Sequence, residues 1–129
     1  MSTSKAFKIL VVDDEEIVRH TLKAILNRLG YHVEGVEDGL SGLRVIETGD
    51  YHAAFVDVRM PGLDGISFLR QVKKIRPNIS IIIISGHGSD ETRKEAMQAG
   101  ALAFLHKPFR FKDIQELMKK IARFDSVSC

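Results

Sequence analysis

The sequence predicts a doubly wound α/β domain on a five-stranded parallel sheet, and three observations carry that expectation. Five apolar runs alternate strictly with five stretches of helical periodicity. Three of the runs, ILVV, AAFV and IIII, are continuous rather than alternating, the pattern of strands covered on both faces. Each strand is followed by a crossover long enough for a helix, and right-handed crossovers put helices on both sides of a sheet.

The first strand is predicted at Phe7 to Val12. Val18, Leu22, Ile25, Leu26 and Leu29 then recur at helical spacing, and Gly30 stops the helix. The second strand runs from Tyr31 to Val36, and Leu40, Leu43 and Ile46 form the apolar stripe of the next helix, which closes at Gly49. The third strand, Ala53 to Val58, contains a carboxylate, Asp57, although Asp is depleted in strands and costly to bury. A turn through Pro61 and Gly62 leads to Asp64, read as the N-cap of a helix carrying Ile66, Leu69, Val72 and Ile75 ahead of Pro77. The fourth strand is Ile79 to Ile84. Ser89 caps the fourth helix, with Thr92 in its first turn and Gly100 at its close. Leu102 to Leu105 is the fifth strand, and Ile114, Leu117, Met118 and Ile121 mark a last helix running nearly to the end. The tail DSVSC reads as the start of a linker.

Composition bounds the function. At 44% hydrophobic and 28% charged, 129 residues suit one compact domain spanning 1–129, which excludes disordered and fibrous classes. A net charge of +2 is too small to argue for a nucleic-acid or membrane surface. The single cysteine, Cys129, excludes an internal disulfide and suits a reducing compartment. No stretch has the apolar core of a signal peptide or the length of a membrane span, so a cytoplasmic location is expected.

In open parallel sheets, ligand sites lie at the carboxyl ends of the strands. Here those ends carry Asp13 and Asp14, then Asp57, then Ser85, then His106 and Lys107 before Pro108; Glu37 and Asp38, after the second strand, read as a solvated turn. Two carboxylates about 4 Å apart repel by roughly 4 kcal/mol at an effective dielectric of 20, so such a cluster calls for a cation. Oxygen ligands without Cys or His at metal spacing favour a hard ion, and Mg²⁺ suits a site that leaves room for a phosphoryl oxygen. Lys107 adds a fixed positive charge, Ser85 a hydroxyl, and Gly86 leaves space for an approaching group. A carboxylate nucleophile, a metal, a lysine and a hydroxyl together suit the acceptance of a phosphoryl group.

VVDDE at 11–15, VDVRMPGLDG at 56–65, ISGHG at 84–88 and AFLHKPF at 103–109 resemble the receiver domain of two-component response regulators, in order and spacing over nearly the whole chain. The last two segments look most like receivers of transcriptional regulators, including the nitrogen-regulatory type. The resemblance implies a flavodoxin-like (βα)5 sheet with strand order 2-1-3-4-5. It implies Asp57 as phosphoacceptor and Asp13 and Asp14 as the acidic pair that holds Mg²⁺, or Mn²⁺ in its place, with Asp57 and the backbone carbonyl of Arg59 as further ligands. Ser85 matches the hydroxyl residue, Lys107 the lysine that pairs with the phosphoryl group, and Phe104 the switch aromatic, and the bond from Lys107 to Pro108 is implied to be cis. The side chains of Arg59 and His87 match positions that tune phosphoryl lifetime.

The implied partner is a sensor histidine kinase or a phosphotransfer protein. The output is a changed face of the fourth helix, fifth strand and fifth helix that controls transcription, in a receiver either standing alone or excised from a longer regulator. The domain is then no enzyme beyond slow self-dephosphorylation, and contacts neither nucleic acid nor membrane. A homodimer through the output face is implied too, although Ala103 stands where such receivers often carry an acidic contact residue.

Plainer readings stand beside these. Asp57 can close an Asx turn, Asp13 and Asp14 can cap the first helix, and Glu15 and Glu16 favour its dipole. Phe104 can be an ordinary strand residue, Arg59 and His87 solvated side chains, and His20, His32 and His52 surface residues. Two rival classes fit less well. A haloacid-dehalogenase-type phosphatase needs its nucleophile in a D-x-D motif after the first strand, whereas Arg59 follows Asp57 by two. A flavin binder needs a Ser/Thr-rich phosphate loop where this chain has DDEE.

Overall fold

Runs of branched residues form strands that must be covered twice, and the strands here are covered twice. The computed structural model describes residues 7–86 and 88–127, with side chains through Ile121. Strands β1 (Lys8–Val12), β2 (His32–Val36), β3 (Ala53–Asp57), β4 (Ser80–Ser85) and β5 (Ala103–His106) form one parallel sheet in the order β2-β1-β3-β4-β5, as the resemblance implies. The central strands are buried almost end to end, while the edge strands β2 and β5 are partly exposed.

Helices α1 (Glu16–Arg28) and α5 (Phe111–Val127) cover one face. Their Leu22, Leu26, Ile114, Met118 and Ile121 pack on Ile9, Val11, Phe55, Ile82 and Ile84. Helices α2 (Gly39–Thr48), α3 (Gly65–Ile75) and α4 (Asp90–Gln98) cover the other. There Ile46, Phe68, Leu69, Val72 and Ala96 meet Leu10, Val12, Ala54, Val56, Ile81 and Ile83. Alternate residues of each central strand thus supply the two cores, which is why neither face of those strands has room for a polar residue until the strand ends.

Helix ends follow their caps. The carboxylate of Asp64 accepts from the Ser67 N–H (2.9 Å) and the hydroxyl of Ser89 from the Thr92 N–H (3.1 Å), as expected. Gly30 and Gly100 end α1 and α4. Four expectations are corrected. Asp38 is not merely a solvated turn: it caps α2 by accepting from the Ser41 N–H at 2.8 Å. Leu40 is 60% exposed, because α2 turns Gly39, Gly42 and Ile46 inward instead. His52 is half-buried; its Nδ1 accepts from the Lys8 N–H (3.0 Å) and its ring stacks on Phe7. Helix α5 continues through Val127, so most of the tail read as a linker is helical, and Cys129 lies outside the described residues.

The register decides where the polar residues arrive. Val12 pairs with Val56, Asp57 with Ile84, and Ser85 with His106. Four neighbouring strands therefore end nearly level, and Asp13, Asp57, Ser85 and Lys107 emerge along one edge of the sheet.

Candidate functional site

Asp13 and Asp57 are built alike. Each follows a buried hydrophobic run, and each turns one carboxylate oxygen back onto its own loop: Asp13 Oδ1 accepts from the Glu15 N–H (2.9 Å), and Asp57 Oδ1 from the Arg59 N–H (3.0 Å). Both are Asx-type turns, the plainer reading given for Asp57, whereas the N-cap of α1 falls on Glu15 and not on Asp13 or Asp14. The second oxygens converge on Lys107, whose Nζ lies 2.9 Å from Asp57 Oδ2 and 3.2 Å from Asp13 Oδ2. Asp13 is fully buried and Asp57 is 5% exposed, so both carboxylates are held with little freedom.

Lys107 is held in turn by backbone. Its N–H donates to the Ser85 carbonyl (2.8 Å), prolonging the ladder between β4 and β5, and the peptide bond to Pro108 is cis. The Val58 N–H does the same for β3 by donating to the Ile84 carbonyl at 3.0 Å. Burial opposes the charge on Lys107, but hydrogen bonds to Asp57 and Glu15 and the charges of Asp57 and Asp13 outweigh it and hold the ammonium above its usual value. Asp13 moves the other way for a carboxyl: desolvation, reinforced by the charge of Asp57, raises it from 3.8 to about 6 despite the Glu15 N–H and Lys107.

Asp14 is exposed and completes an acidic triad in which one oxygen from each of Asp13, Asp14 and Asp57 lies within 4.8 Å of the others. Asp13 Oδ2 is buried and accepts no hydrogen bond, although the Lys107 ammonium stands beside it. An all-oxygen donor set with one unsatisfied buried oxygen fits a hard divalent cation. Beside the triad, Asp14, Glu15, Asp57, Arg59, Ser85, Gly86 and Lys107 line a cleft of about 250 Å³.

Ser85 is buried at the end of β4 and lines that cleft. The Arg59 side chain is exposed at its rim. Phe104, half-buried on β5, packs against the α2–α4 core and meets His106 edge-on with 5.2 Å between ring centroids. A methyl group on Gly88 would lie 2.4 Å from Phe104 Cζ and 3.3 Å from Ser85 Oγ, so the ring edge and the hydroxyl flank the same backbone. His87 lies outside the described residues. One residue that sequence reasoning left aside belongs here: Glu15 Oε1 accepts from Lys107 Nζ at 3.1 Å. The signal was available, since Glu is a poor N-cap and its presence just before α1 invited another explanation.

An open parallel sheet in this order, with an acidic triad and a lysine at its carboxyl edge, defines a CheY-like signalling domain. The same fold is seen in the CheY-like response regulator receiver domain protein from Methanospirillum hungatei JF-1, which is 31% identical, with 95% of this chain and 98% of that one covered and a TM-score of 0.89. The receiver domain of NtrX from Brucella abortus is 34% identical, with 88% and 96% covered and a TM-score of 0.83. The response regulator receiver domain family matches residues 9–121, and the chain belongs to that family. Sporulation initiation phosphotransferase F from Bacillus subtilis (strain 168) is 34% identical over 113 residues, 88% of this chain and 91% of that protein. Transcriptional regulatory protein ZraR from Salmonella typhimurium is 38% identical over 112 residues, 87% of this chain but 25% of that protein. The chain thus spans most of one relative and a quarter of the other. Receiver domains belong to two-component signalling and are not a family of catalytic enzymes. Among the described residues no helix is long and apolar enough to cross a membrane.

Proposed function

We propose that Asp57 accepts a phosphoryl group from the phosphohistidine of a sensor histidine kinase or phosphotransfer protein. The observation that carries this reading is the position of the Asp57 carboxylate: at the end of a buried strand, fixed through Oδ1 and paired with Lys107 through Oδ2. A carboxylate oxygen attacks phosphorus, the bond from phosphorus to the donor imidazole breaks, and the imidazole nitrogen keeps the electron pair. Asp13, Asp14, Asp57 and the backbone carbonyl of Arg59 would hold Mg²⁺, or Mn²⁺ in its place, and the bound ion would supply positive charge to the transferring group. Lys107 neutralises a phosphoryl oxygen and the Ser85 hydroxyl donates to another. The donor approaches over α1, where Ile17, 75% exposed, joins Val18, Thr21, Pro108 and Phe109 in a groove that Lys107 connects to the cleft.

Ser85 and Phe104 act as the switch. A hydroxyl drawn toward the phosphoryl group leaves the space beside Gly88, the ring follows, and the face of α4, β5 and α5 changes. That face controls the output, transcription by the precedent of the regulatory relatives, and is where a second copy would dock. Residues 1–129 form a single receiver domain, with at most slow self-dephosphorylation, whose rate the side chains of Arg59 and His87 tune.

Intact mass after incubation with acetyl phosphate tests the chemistry. A single phosphoryl adduct is expected on the wild type with Mg²⁺, and none without Mg²⁺ or on Asp57→Asn. An adduct that persists on Asp57→Asn overturns the assignment.

A further inference from the structure

We infer that Glu15 is a positioning residue that occupies Lys107 before phosphorylation and sets a balance between cation binding and phosphodonor access; the inference rests on Asp57 being the phosphoacceptor. Lys107 has three N–H donors and three carboxylates around it: Asp57 at 2.9 Å, Glu15 at 3.1 Å and Asp13 at 3.2 Å. Two of its donors go to hydrogen bonds with Asp57 and Glu15, while Asp13 Oδ2 faces the ammonium without one, so a phosphoryl oxygen that pairs with Lys107 competes with these carboxylates.

Asp13 and Asp57 are poor candidates to leave. Each is anchored by its other oxygen to a backbone N–H, and their side chains are 0% and 7% exposed. The Glu15 side chain is 57% exposed, reaches Lys107 across 92 residues of chain, and makes no cap hydrogen bond although it stands at the N-cap of α1. A long side chain held at a surface loses rotamer freedom, so its release into water is cheap. Glu15 is therefore the carboxylate that swings out when the phosphoryl group arrives.

Its charge acts in opposite senses on cation binding and on the approach of an anionic phosphodonor. A negative charge at the rim of the cleft favours the cation at the triad and opposes an incoming phosphate ester or anhydride. Loss of that charge should weaken the first and speed the second. A variant that merely disturbs the fold weakens both.

The test compares wild type, Glu15→Gln and Glu15→Asp by calorimetric Mg²⁺ titration and by the second-order rate constant for phosphorylation by acetyl phosphate. A rim charge of this exposure is worth about two- to fivefold in each constant. For Glu15→Gln the Mg²⁺ affinity should fall by that factor while the rate constant at saturating Mg²⁺ rises by it, and the rise should shrink in high salt. Glu15→Asp, which keeps the charge, should return both toward wild type. Both constants falling together, or neither changing, overturns the inference while an adduct on wild-type Asp57 keeps the phosphoacceptor reading intact. No adduct on the wild type overturns that reading and the inference with it.

Discussion

Under the proposed function, Asp13 ties proton binding to metal binding. Its carboxyl lies at about 6 in the folded protein against 3.8 ordinarily, chiefly because burial desolvates it. The folded state therefore binds this proton more tightly than the unfolded chain does, and stability declines as pH rises from about 4 to 6. Above that window the carboxylate is buried and charged, with Oδ2 lacking a hydrogen bond. A cation at the triad relieves the strain only after the proton leaves, so Mg²⁺ affinity should be steady near pH 7.5 and fall by up to about tenfold per pH unit below pH 6. Calorimetric titration across that range checks it, and equal affinity at both ends would remove Asp13 from the ligand set. At this scale the sequence was most informative where a polar residue ended an apolar run, because a parallel sheet sends every such residue to one edge. It was least informative where partners are distant in sequence: nothing near His52 announces Lys8, and an odd Glu at the start of α1 signals a role without naming Lys107 as its partner. Asp38 is a different case, legible from the Ser three residues on and passed over as a solvated turn.

Helix α3 begins on top of the site rather than beside it. The Gly65 N–H donates to the Val58 carbonyl at 3.0 Å, and a methyl group on Gly65 would lie 2.3 Å from the Asp57 carbonyl oxygen and 2.8 Å from Val58 Cα. Both obstacles are backbone, which cannot rotate away as a side chain can. Gly65→Ala should therefore cost about 1–3 kcal/mol in urea unfolding and slow phosphorylation as well, since the displaced peptide carries Asp57. An alanine variant as stable and as reactive as wild type would show that the helix shifts freely. Elements were legible in kind because their periods differ, and their ends were legible where caps were strong, as at Asp64 and Ser89. Which face a short helix turns inward was not: α2 reads as a leucine stripe, yet it buries two glycines and exposes Leu40, a choice made by how closely α2 approaches the sheet and α3.

Across the whole molecule, order is graded. Strands β1, β3 and β4 are sealed between two cores, whereas β5 is half-exposed and α4 contributes a single buried residue, Ala96. Amides in the central strands should exchange only through global unfolding, and those of α4 through smaller openings at lower free energy, which hydrogen exchange followed by mass spectrometry will resolve. Uniform protection across both regions would contradict that gradient. The fold class was legible because strict alternation of strand and helix leaves few topologies and right-handed crossovers reduce them further, while the strand order came from the family resemblance.

One alanine fastening a nine-residue helix has a consequence for how such a domain diversifies. The remaining positions of α4 answer to no core, and an exposed Arg70–Glu95 ion pair at 3.5 Å holds the helix to α3 only weakly. If α4 carries the output as proposed, substitutions there can alter which partner is recognised without first passing through a misfolded intermediate. The chemistry at the sheet edge can thus be inherited unchanged while the surface that reports it is rewritten.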